Sequence, residues 1–352
     1  MDNVGANKGE FMLEIDGSFG EGGGQILRTA LSLACLLGRP FRIFNIRSAR
    51  RKPGLMPQHL SCVRALATIS NAMVQGDAPG STELVFEPGE TRPGEYFFDI
   101  GTAGSTSLLL QAILPPLVFS GERSHLVLKG GTHVPFSPPF HFIKEIFIPM
   151  LRRLGIEVHA SIESYGFYPK GGGRIKVDIV PATGVKPIRI SERGEIKKIS
   201  GISGVANLPL SIAGRQRKAA LDSLCAHGLR AEIALFEGKD FGQGTFVFLK
   251  TEAENCIAGF SSLGERGKRA EAVGKEAAEG FINYYYSGSC LDHHLADQIV
   301  LYLAVAKGES SFTVSLVTKH LLTNLSVIEK FLGVGSRLEG EEGKTGTLVL
   351  SP

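Results

Sequence analysis

Apolar residues at Leu60, Val63, Leu66 and Ile69 recur at the three- and four-residue spacing of a helix across residues 57–72. Stretches 140–154 and 320–332 repeat that period, and each of the three follows a short strand-like run, at 41–46, 125–128 and 311–317. Ahead of each run stands a Gly- or Ser-rich turn that opens an apolar helix. The first is Gly22-Gly23-Gly24-Gln25-Ile26-Leu27-Arg28, continuing through Leu37, and it follows a strand-like segment at 11–15. The second is Gly104-Ser105-Thr106-Ser107-Leu108-Leu109-Leu110-Gln111, and the third runs from Ser289 through Asp297 and Gln298 to Ala306. Internal repetition of this kind predicts one supersecondary unit used three times. A single such α+β unit cannot bury its sheet face alone, so the three are expected to pack into one large domain.

Between the second and third units the pattern is interrupted. Residues 185–282 carry their own expected strands (188–190, 245–249) and helices (213–227, 267–278), and read as an inserted domain entered near Pro181-Ala182-Thr183-Gly184. The predicted division is therefore 1–184 with 283–352, interrupted by 185–282; 352 residues exceed what one hydrophobic core usually supports.

Composition narrows the functional classes. Hydrophobic residues make up 43% and charged residues 21%, as in an ordered globular protein. The longest apolar stretch, 108–119, is broken by Gln111 and Pro115-Pro116, and falls short of the roughly 20 residues that cross a bilayer. No basic segment followed by an apolar core stands at the N-terminus, so no secretory signal and no membrane association are expected. Five scattered cysteines without a CxxC pair fit reduced thiols in a cytoplasm. A net charge of +3 is too mild for a general DNA-coating protein, but leaves room for a local phosphate-gripping patch.

Several motifs carry chemistry. Gly20-Glu21-Gly22-Gly23-Gly24-Gln25 opens a helix, where glycines let the backbone approach an anion. Its spacing is not the dinucleotide GxGxxG. Taken alone it is a tight strand-to-helix turn, yet Glu21 would repel a phosphate unless a divalent metal lay between them, so a phosphate–metal site is the second reading. Gly343-Lys344-Thr345 imitates the end of a phosphate loop but has Leu338 where the upstream glycine belongs, and is rejected. Arg47, Arg50, Arg51 and Lys52 precede a helix with Gln58 and His59 in its first turns; a solvated face and a phosphate contact are equal readings. His293 and Asp297, four apart beside Asp292 and His294, share a helix face without enough ligands for a metal. Gln298 beside Asp297 points to hydrogen bonding with a base or ribose. Spacing alone gives His320 no role beyond that of a helix-opening histidine.

The segment Tyr165-Gly166-Phe167-Tyr168-Pro169-Lys170-Gly171-Gly172-Gly173-Arg174-Ile175 resembles the signature of the RNA 3′-terminal phosphate cyclase family, with Tyr165 where that family usually has His or Arg. The resemblance extends over nearly the whole chain. It takes in Glu14-Ile15-Asp16-Gly17 with Gly20 to Arg28, Lys52-Pro53-Gly54-Leu55 with Gln58-His59-Leu60, and Gly101-Thr102-Ala103-Gly104-Ser105. It continues through Gly130-Gly131-Thr132, His294-Leu295-Ala296-Asp297-Gln298 and His320-Leu321-Leu322-Thr323-Asn324.

The resemblance implies an α+β fold of three repeated two-helix, four-stranded modules forming a large domain, plus a smaller inserted α/β domain. It also implies a reaction: ATP converts an RNA 3′-terminal phosphate to a 2′,3′-cyclic phosphodiester through a covalent His–AMP and an RNA–pp–A anhydride. His320 matches the catalytic histidine. Asp297 and Gln298, within His294-Leu295-Ala296-Asp297-Gln298, match the nucleotide-binding run, with Gln111 reaching in from the second unit. Pro135 matches the residue on one face of adenine and His294 the cover on the other, where many relatives have Tyr. Glu21 matches the carboxylate for Mg²⁺ or Mn²⁺. Arg28, Arg47 and Arg50, with Gln58 and His59, are the expected contacts to the triphosphate or the RNA end. The expected partners are ATP and RNA with a 3′-phosphate end; self-association through sheet edges is left open. Three competitors share parts of this pattern: a non-catalytic ribosome-assembly factor of the same fold, an enolpyruvyl-transferase-like enzyme, and a 5′-adenylating side activity. His320 discriminates against the first and the signature against the second.

Overall fold

The computed structural model describes residues 12–238 and 242–352. Strand β1 (Leu13–Asp16) leads through a glycine turn into α1 (Gly24–Leu37), followed by β2 (Phe41–Phe44), α2 (Pro57–Ser70), β3 (Met73–Gln75) and β4 (Leu84–Glu87). Next come β5 (Glu95–Asp99), α3 (Thr106–Val118), β6 (Ser124–Gly130) and α4 (Phe140–Phe142). A π-helical turn, Ile143–Phe147, joins α4 to α5 (Ile148–Arg153), and β7 (Val158–Ser164) and β8 (Gly173–Ile179) complete the group. The strand-like segment expected at 11–15 is realised as β1; Phe11 itself lies outside the described residues.

In both groups the first strand pairs parallel with the second, the second pairs antiparallel with the fourth, and the third lies at the edge: β1-β2-β4-β3 and β5-β6-β8-β7. Strand β8 shows why the elements pack as they do: Ile175, Val177 and Ile179 are buried while Arg174, Lys176 and Asp178 alternate outward.

The chain continues with β9 (Arg189–Ile190), β10 (Ile196–Ala206), α6 (Leu210–Cys225), β11 (Glu232–Gly238), β12 (Gly244–Ala253), β13 (Ile257–Leu263) and α7 (Ala270–Ser287). It ends with α8 (His293–Leu303), β14 (Ser310–Val314), α9 (Lys319–Leu332), β15 (Gly335–Glu339) and β16 (Gly346–Ser351). Strands β10 to β13 form their own sheet, β11-β10-β12-β13, while β9 joins the last sheet, β15-β16-β14-β9. This corrects one expectation. The segment at 188–190 does not pair with the β10–β13 sheet: Arg189 and Ile190 pair parallel with Ser311 and Phe312 of β14, and Ile188 and Ile190 are buried in the larger apolar cluster. The helix expected at 267–278 likewise runs on to Ser287, burying Phe281, Ile282 and Tyr284 against the β10–β13 sheet.

Two apolar clusters result. One draws residues from the β1–β4, β5–β8 and β9/β14–β16 sheets and their helices, and takes in Ala206 of β10 and Phe246 and Phe248 of β12. The other is confined to β10–β13, α6 and α7. No helix among the described residues is long and apolar enough to cross a membrane. All five thiols are free, and four of them are buried.

Helix α3 contains Pro115 and Pro116, which supply no N–H to the carbonyls of Gln111 and Ala112. The Ser32 hydroxyl of α1 reaches the Ala112 carbonyl at 2.7 Å, sharing its proton with Arg28 O at 2.8 Å, so a helix defect becomes a cross-helix tie. Asp292 makes a second tie. It caps α8 by accepting from Leu295 N–H at 2.9 Å and lies 3.4 Å from the Gly259 N–H of β13. Complete burial pushes its carboxyl up to about 7, against the opposing pull of those amides.

Two outcomes follow for stability. Ser32→Ala leaves the Ala112 carbonyl buried without a donor and is expected to cost about 1–3 kcal/mol, read from the midpoint of chemical denaturation. The folded chain keeps a proton on Asp292 that the unfolded chain releases near its ordinary carboxylate value, so this group's contribution falls as pH rises from about 4 to about 7. Asp292→Asn keeps the cap and removes that dependence. Its stability relative to the parent should rise across the interval by about 2–4 kcal/mol, measured by urea unfolding at both ends.

Candidate active site

The site is assembled where the first turn of α9 meets the turn before α1. Gly20 has a left-handed backbone (φ +64°), and a Cβ there would lie 2.2 Å from the Thr323 hydroxyl. That close approach brings Glu21 N–H to 3.2 Å from Thr323 Oγ1. Gly24, at the start of α1, has no room for a side chain either: an added Cβ would sit 2.4 Å from His59 Nε2 and 2.9 Å from Arg28 Nη1.

Three helices are then joined by one buried amide. Asn324 Oδ1 accepts from Thr29 Oγ1 at 2.7 Å and from Gln25 Nε2 at 3.1 Å, while its Nδ2 donates to Asp297 O at 2.7 Å. The side chains of α1, α8 and α9 are thereby held in one register. Thr318 caps α9, accepting from Leu321 N–H at 2.9 Å and donating its own proton to Asp297 Oδ1 at 2.7 Å.

His320, the second residue of α9, is accessible, and its Nδ1 lies 3.1 Å from Glu21 Oε2. The contact is an ion-pair approach in poor hydrogen-bond alignment, since Oε2 is buried and accepts no well-aligned donor. The other Glu21 oxygen meets Arg50 Nη2, which also donates to Glu21 O at 3.0 Å. Burial alone would raise the Glu21 carboxyl, but His320, Arg50 and Arg28 together hold it below its usual value. The same carboxylate raises the His320 imidazole against the opposing effect of its partial burial, with Asp297 adding to the rise. Burial pushes the Asp297 carboxyl up to about 7, Thr318 and His320 working the other way.

The remaining sequence-predicted residues fall around this centre in different ways. Gln111 Nε2 donates to Gln298 Oε1 at 2.5 Å, across α3 and α8. With Gln25, Arg28, Asp297 and Asn324 these two line a cavity of about 40 Å³. Arg28 donates to Gln25 Oε1 at 2.6 Å, and among the described residues no carboxylate lies within 4 Å of it. Burial lowers its pKa, so an anion arriving beside it would meet a poorly solvated cation. His294 is exposed at the start of α8, its ring edge-on to Phe142 at 6.3 Å; Pro135 is exposed on the loop before α4.

Other sequence-predicted residues make contacts within the surrounding scaffold. Leu295 and Ala296 are fully buried, and their N–H groups are taken by Asp292, so they back the site without offering it a side chain. Arg47 has a left-handed backbone and donates to Lys52 O at 2.7 Å and Gly54 O at 3.0 Å, bracing its own loop. His59 Nδ1 accepts from Met56 N–H at 3.1 Å as part of the α2 cap; burial and the nearby Arg28 and Arg47 push its pKa down to about 3. Gln58 Oε1 accepts from Ser105 N–H at 3.2 Å, tying α2 to the turn before α3. Sequence reasoning gave no part to Gln25, Thr29 or Thr318. A threonine just ahead of a helix was a legible capping signal, but nothing in the sequence tied it to Asp297.

Among the described residues no group of three or more His, Cys, Asp or Glu side chains is arranged to hold a metal. Glu21 is a single carboxylate with one buried oxygen lacking an aligned donor. That suits a cation whose other ligands come from a bound phosphate chain.

A family model described as RNA 3′-terminal phosphate cyclase matches residues 19–338. Among curated relatives, a protein of Caldivirga maquilingensis named RNA 3′-terminal phosphate cyclase is 48% identical over 91% of this chain and 93% of its own length. Proteins of the same name from Methanopyrus kandleri and Nostoc punctiforme are 43% and 42% identical, covering 97% and 91% of this chain and 99% and 94% of their own. With the model spanning the site from Glu21 to His320 and relatives aligned almost end to end, the chain belongs to the RNA 3′-terminal phosphate cyclase family.

Proposed function

We propose that this protein uses ATP to convert an RNA 3′-terminal phosphate into a 2′,3′-cyclic phosphodiester, with His320 as the nucleophile. The observation that carries this reading is the placement of His320 at an accessible helix start with Nδ1 turned to Glu21. The nearby carboxylate favours a proton on Nδ1, which leaves Nε2 as the ring nitrogen with a lone pair for attack. In the first step Nε2 attacks the α-phosphorus of ATP; the P–N bond forms and the bond to pyrophosphate breaks. An oxygen of the RNA 3′-phosphate then attacks the same phosphorus, breaking P–N and giving the RNA–pp–A anhydride. Finally the 2′-oxygen attacks the 3′-phosphorus, loses its proton and expels AMP. The 2′-oxygen is already tethered beside that phosphorus, so the last step gains from high effective concentration.

The other residues bind and orient. Gln111, Asp297 and Gln298 supply polar contacts to the nucleotide, Pro135 and His294 flank adenine, and Arg28 and Arg50 neutralise phosphate charge. Asp297, with its raised pKa, is suited to donate as well as accept a hydrogen bond near neutrality. Glu21 would hold Mg²⁺ or Mn²⁺, which supplies charge neutralisation along the triphosphate when bound. Arg50 has two partners in this reading: Glu21 in the free protein and phosphate in the complex.

The same reading takes residues 1–184 and 283–352 as one domain of three repeats, interrupted by an inserted domain assigned to 185–282. The shared strand order of three sheets supports the repeats, and the separate cluster of β10–β13, α6 and α7 supports the insert. The pairing of β9 with β14 and the length of α7 support limits that follow Ile190 and reach Ser287. A cytoplasmic setting, in keeping with the five free thiols, completes the reading.

Incubation with Mg²⁺ and α-labelled ATP, without RNA, should leave acid-labile, alkali-stable label on denatured protein, absent in His320→Ala. An unlabelled parent that still binds ATP would overturn the mechanism in favour of a non-catalytic RNA-binding assembly factor. Arg50→Ala should raise the KM for ATP or for RNA about 10- to 100-fold, the worth of one charge-assisted contact. Unchanged binding of both would remove Arg50 from the phosphate path.

A further inference from the structure

The loop that carries Pro135 also carries Phe136, to which no step above gives a role. Phe136 is entirely solvent-exposed, at 102% of its reference accessibility, and its backbone is left-handed with φ +61°. Both features are unfavourable: a phenyl ring in water forgoes the gain of burial, and the left-handed region is costly for a bulky residue. Such conformations persist where the surroundings over-determine them, and they gather at functional sites.

Here the surroundings are rigid. Phe140 N–H donates to Thr132 O at 2.9 Å and closes the loop. Thr132 and His133 N–H both reach Gly166 O, at 2.9 and 3.1 Å, and Gly166 N–H returns a bond to Thr132 Oγ1 at 3.0 Å. The same Thr132 oxygen lies 2.9 Å from His133 Nδ1, and His133 Nε2 lies 2.9 Å from His141 Nδ1, so the hydrogen-bonded chain continues through both rings. Burial keeps both imidazoles neutral, and Phe246 of β12 packs on them with ring centres 4.5 and 4.9 Å away.

The loop is moreover not alone. His133 pairs with Phe167 as a parallel bridge, so the signature turn runs beside it. From that turn Tyr168 stands 68% exposed, with Lys170 exposed two residues on. The base of the loop also touches the active site. Phe142 packs edge-on to His294, whose ring lies 4.0 Å from that of His293.

We propose that Phe136 and Tyr168, with Lys170, form a platform for the unpaired bases at the 3′ end of the RNA substrate. The inference rests on the cyclase reading and adds the path by which RNA approaches His320. Single-stranded RNA is held by aromatic faces on which successive bases stack and by cations along its backbone, with little regard to sequence. Two exposed rings and a lysine on adjoining, internally locked segments supply that chemistry.

The test uses the full chain and an oligoribonucleotide ending in a 3′-phosphate, with 2-aminopurine as its last or penultimate base. Binding to the parent should quench the fluorophore by stacking. Phe136→Ala should weaken the quench and raise the RNA KM about 5- to 100-fold, the worth of one stacked base. Phe136→Tyr should keep both near the parent, and Phe136→Leu, apolar but without a π face, should behave like Phe136→Ala. ATP-dependent labelling of His320 without RNA should be unaltered in all three. The proposal is overturned if Phe136→Ala leaves quench and RNA KM unchanged, as it would if the patch docks a protein. A rise in the KM for ATP in the labelling reaction would overturn it too, making Phe136 an adenine contact. A parent that quenches the probe yet never takes label would retain the platform and remove the cyclase chemistry, so the two failures are separable.

Discussion

The site depends on a small hydrogen-bonded hub, the Asn324 side chain, buried where α1, α8 and α9 converge. An amide has donors on one side and acceptors on the other, so it can bind hydroxyl and amide groups of α1 while holding a carbonyl of α8. A hydrophobic contact at that position would fill space without fixing rotation. The hub fixes the rotation of α9, and with it the direction in which His320 leaves the first turn.

Around that hub the charged groups are arranged so that each limits its neighbour. Glu21 lies between His320 and Arg50, and Asp297 is joined to the cap of the helix that bears His320. Burial would neutralise Glu21; the cations keep it charged. Burial raises the Asp297 carboxyl to about 7, so near neutrality it is shared between its protonated and ionised forms, with the Thr318 hydroxyl and His320 opposing the rise. Two carboxylates within reach of one imidazole thus take different protonation states near neutrality, which is how one pocket can hold both an anionic and a hydrogen-bond-donating carboxyl.

The family signature is mechanical in this structure. Gly166 and Gly171 have no room for side chains: a Cβ on Gly166 would lie 2.3 Å from Gly130 O, and one on Gly171 2.7 Å from Thr102 O. The turn is pressed onto the loops of the second group, and Thr132, His133 and His141 lock it there. Gly244 of β12 packs on the Phe167 ring just as closely, so the β10–β13 sheet is seated on the same knot.

Much of this was written in the sequence. Helical spacing at Leu60, Val63, Leu66 and Ile69 forecast α2, and glycine turns forecast the start of α1, because these are local consequences of periodicity and backbone freedom. The resemblance named Glu21, Asp297 and His320 together. What the sequence could not give was pairing and distance. Whether residues 189–190 join β14 or the neighbouring sheet depends on which apolar surface is vacant, a property of the packed chain. Arg47, Arg50 and His59 look alike as a basic run, yet one braces its loop, one meets Glu21, and one caps a helix as a neutral ring. Composition and period fix the elements, since both act through neighbours in the chain. The roles of individual polar side chains were decided by tertiary structure, because a hydrogen bond or a desolvated charge has no meaning until its partner, hundreds of residues away, has been brought within about 3 Å.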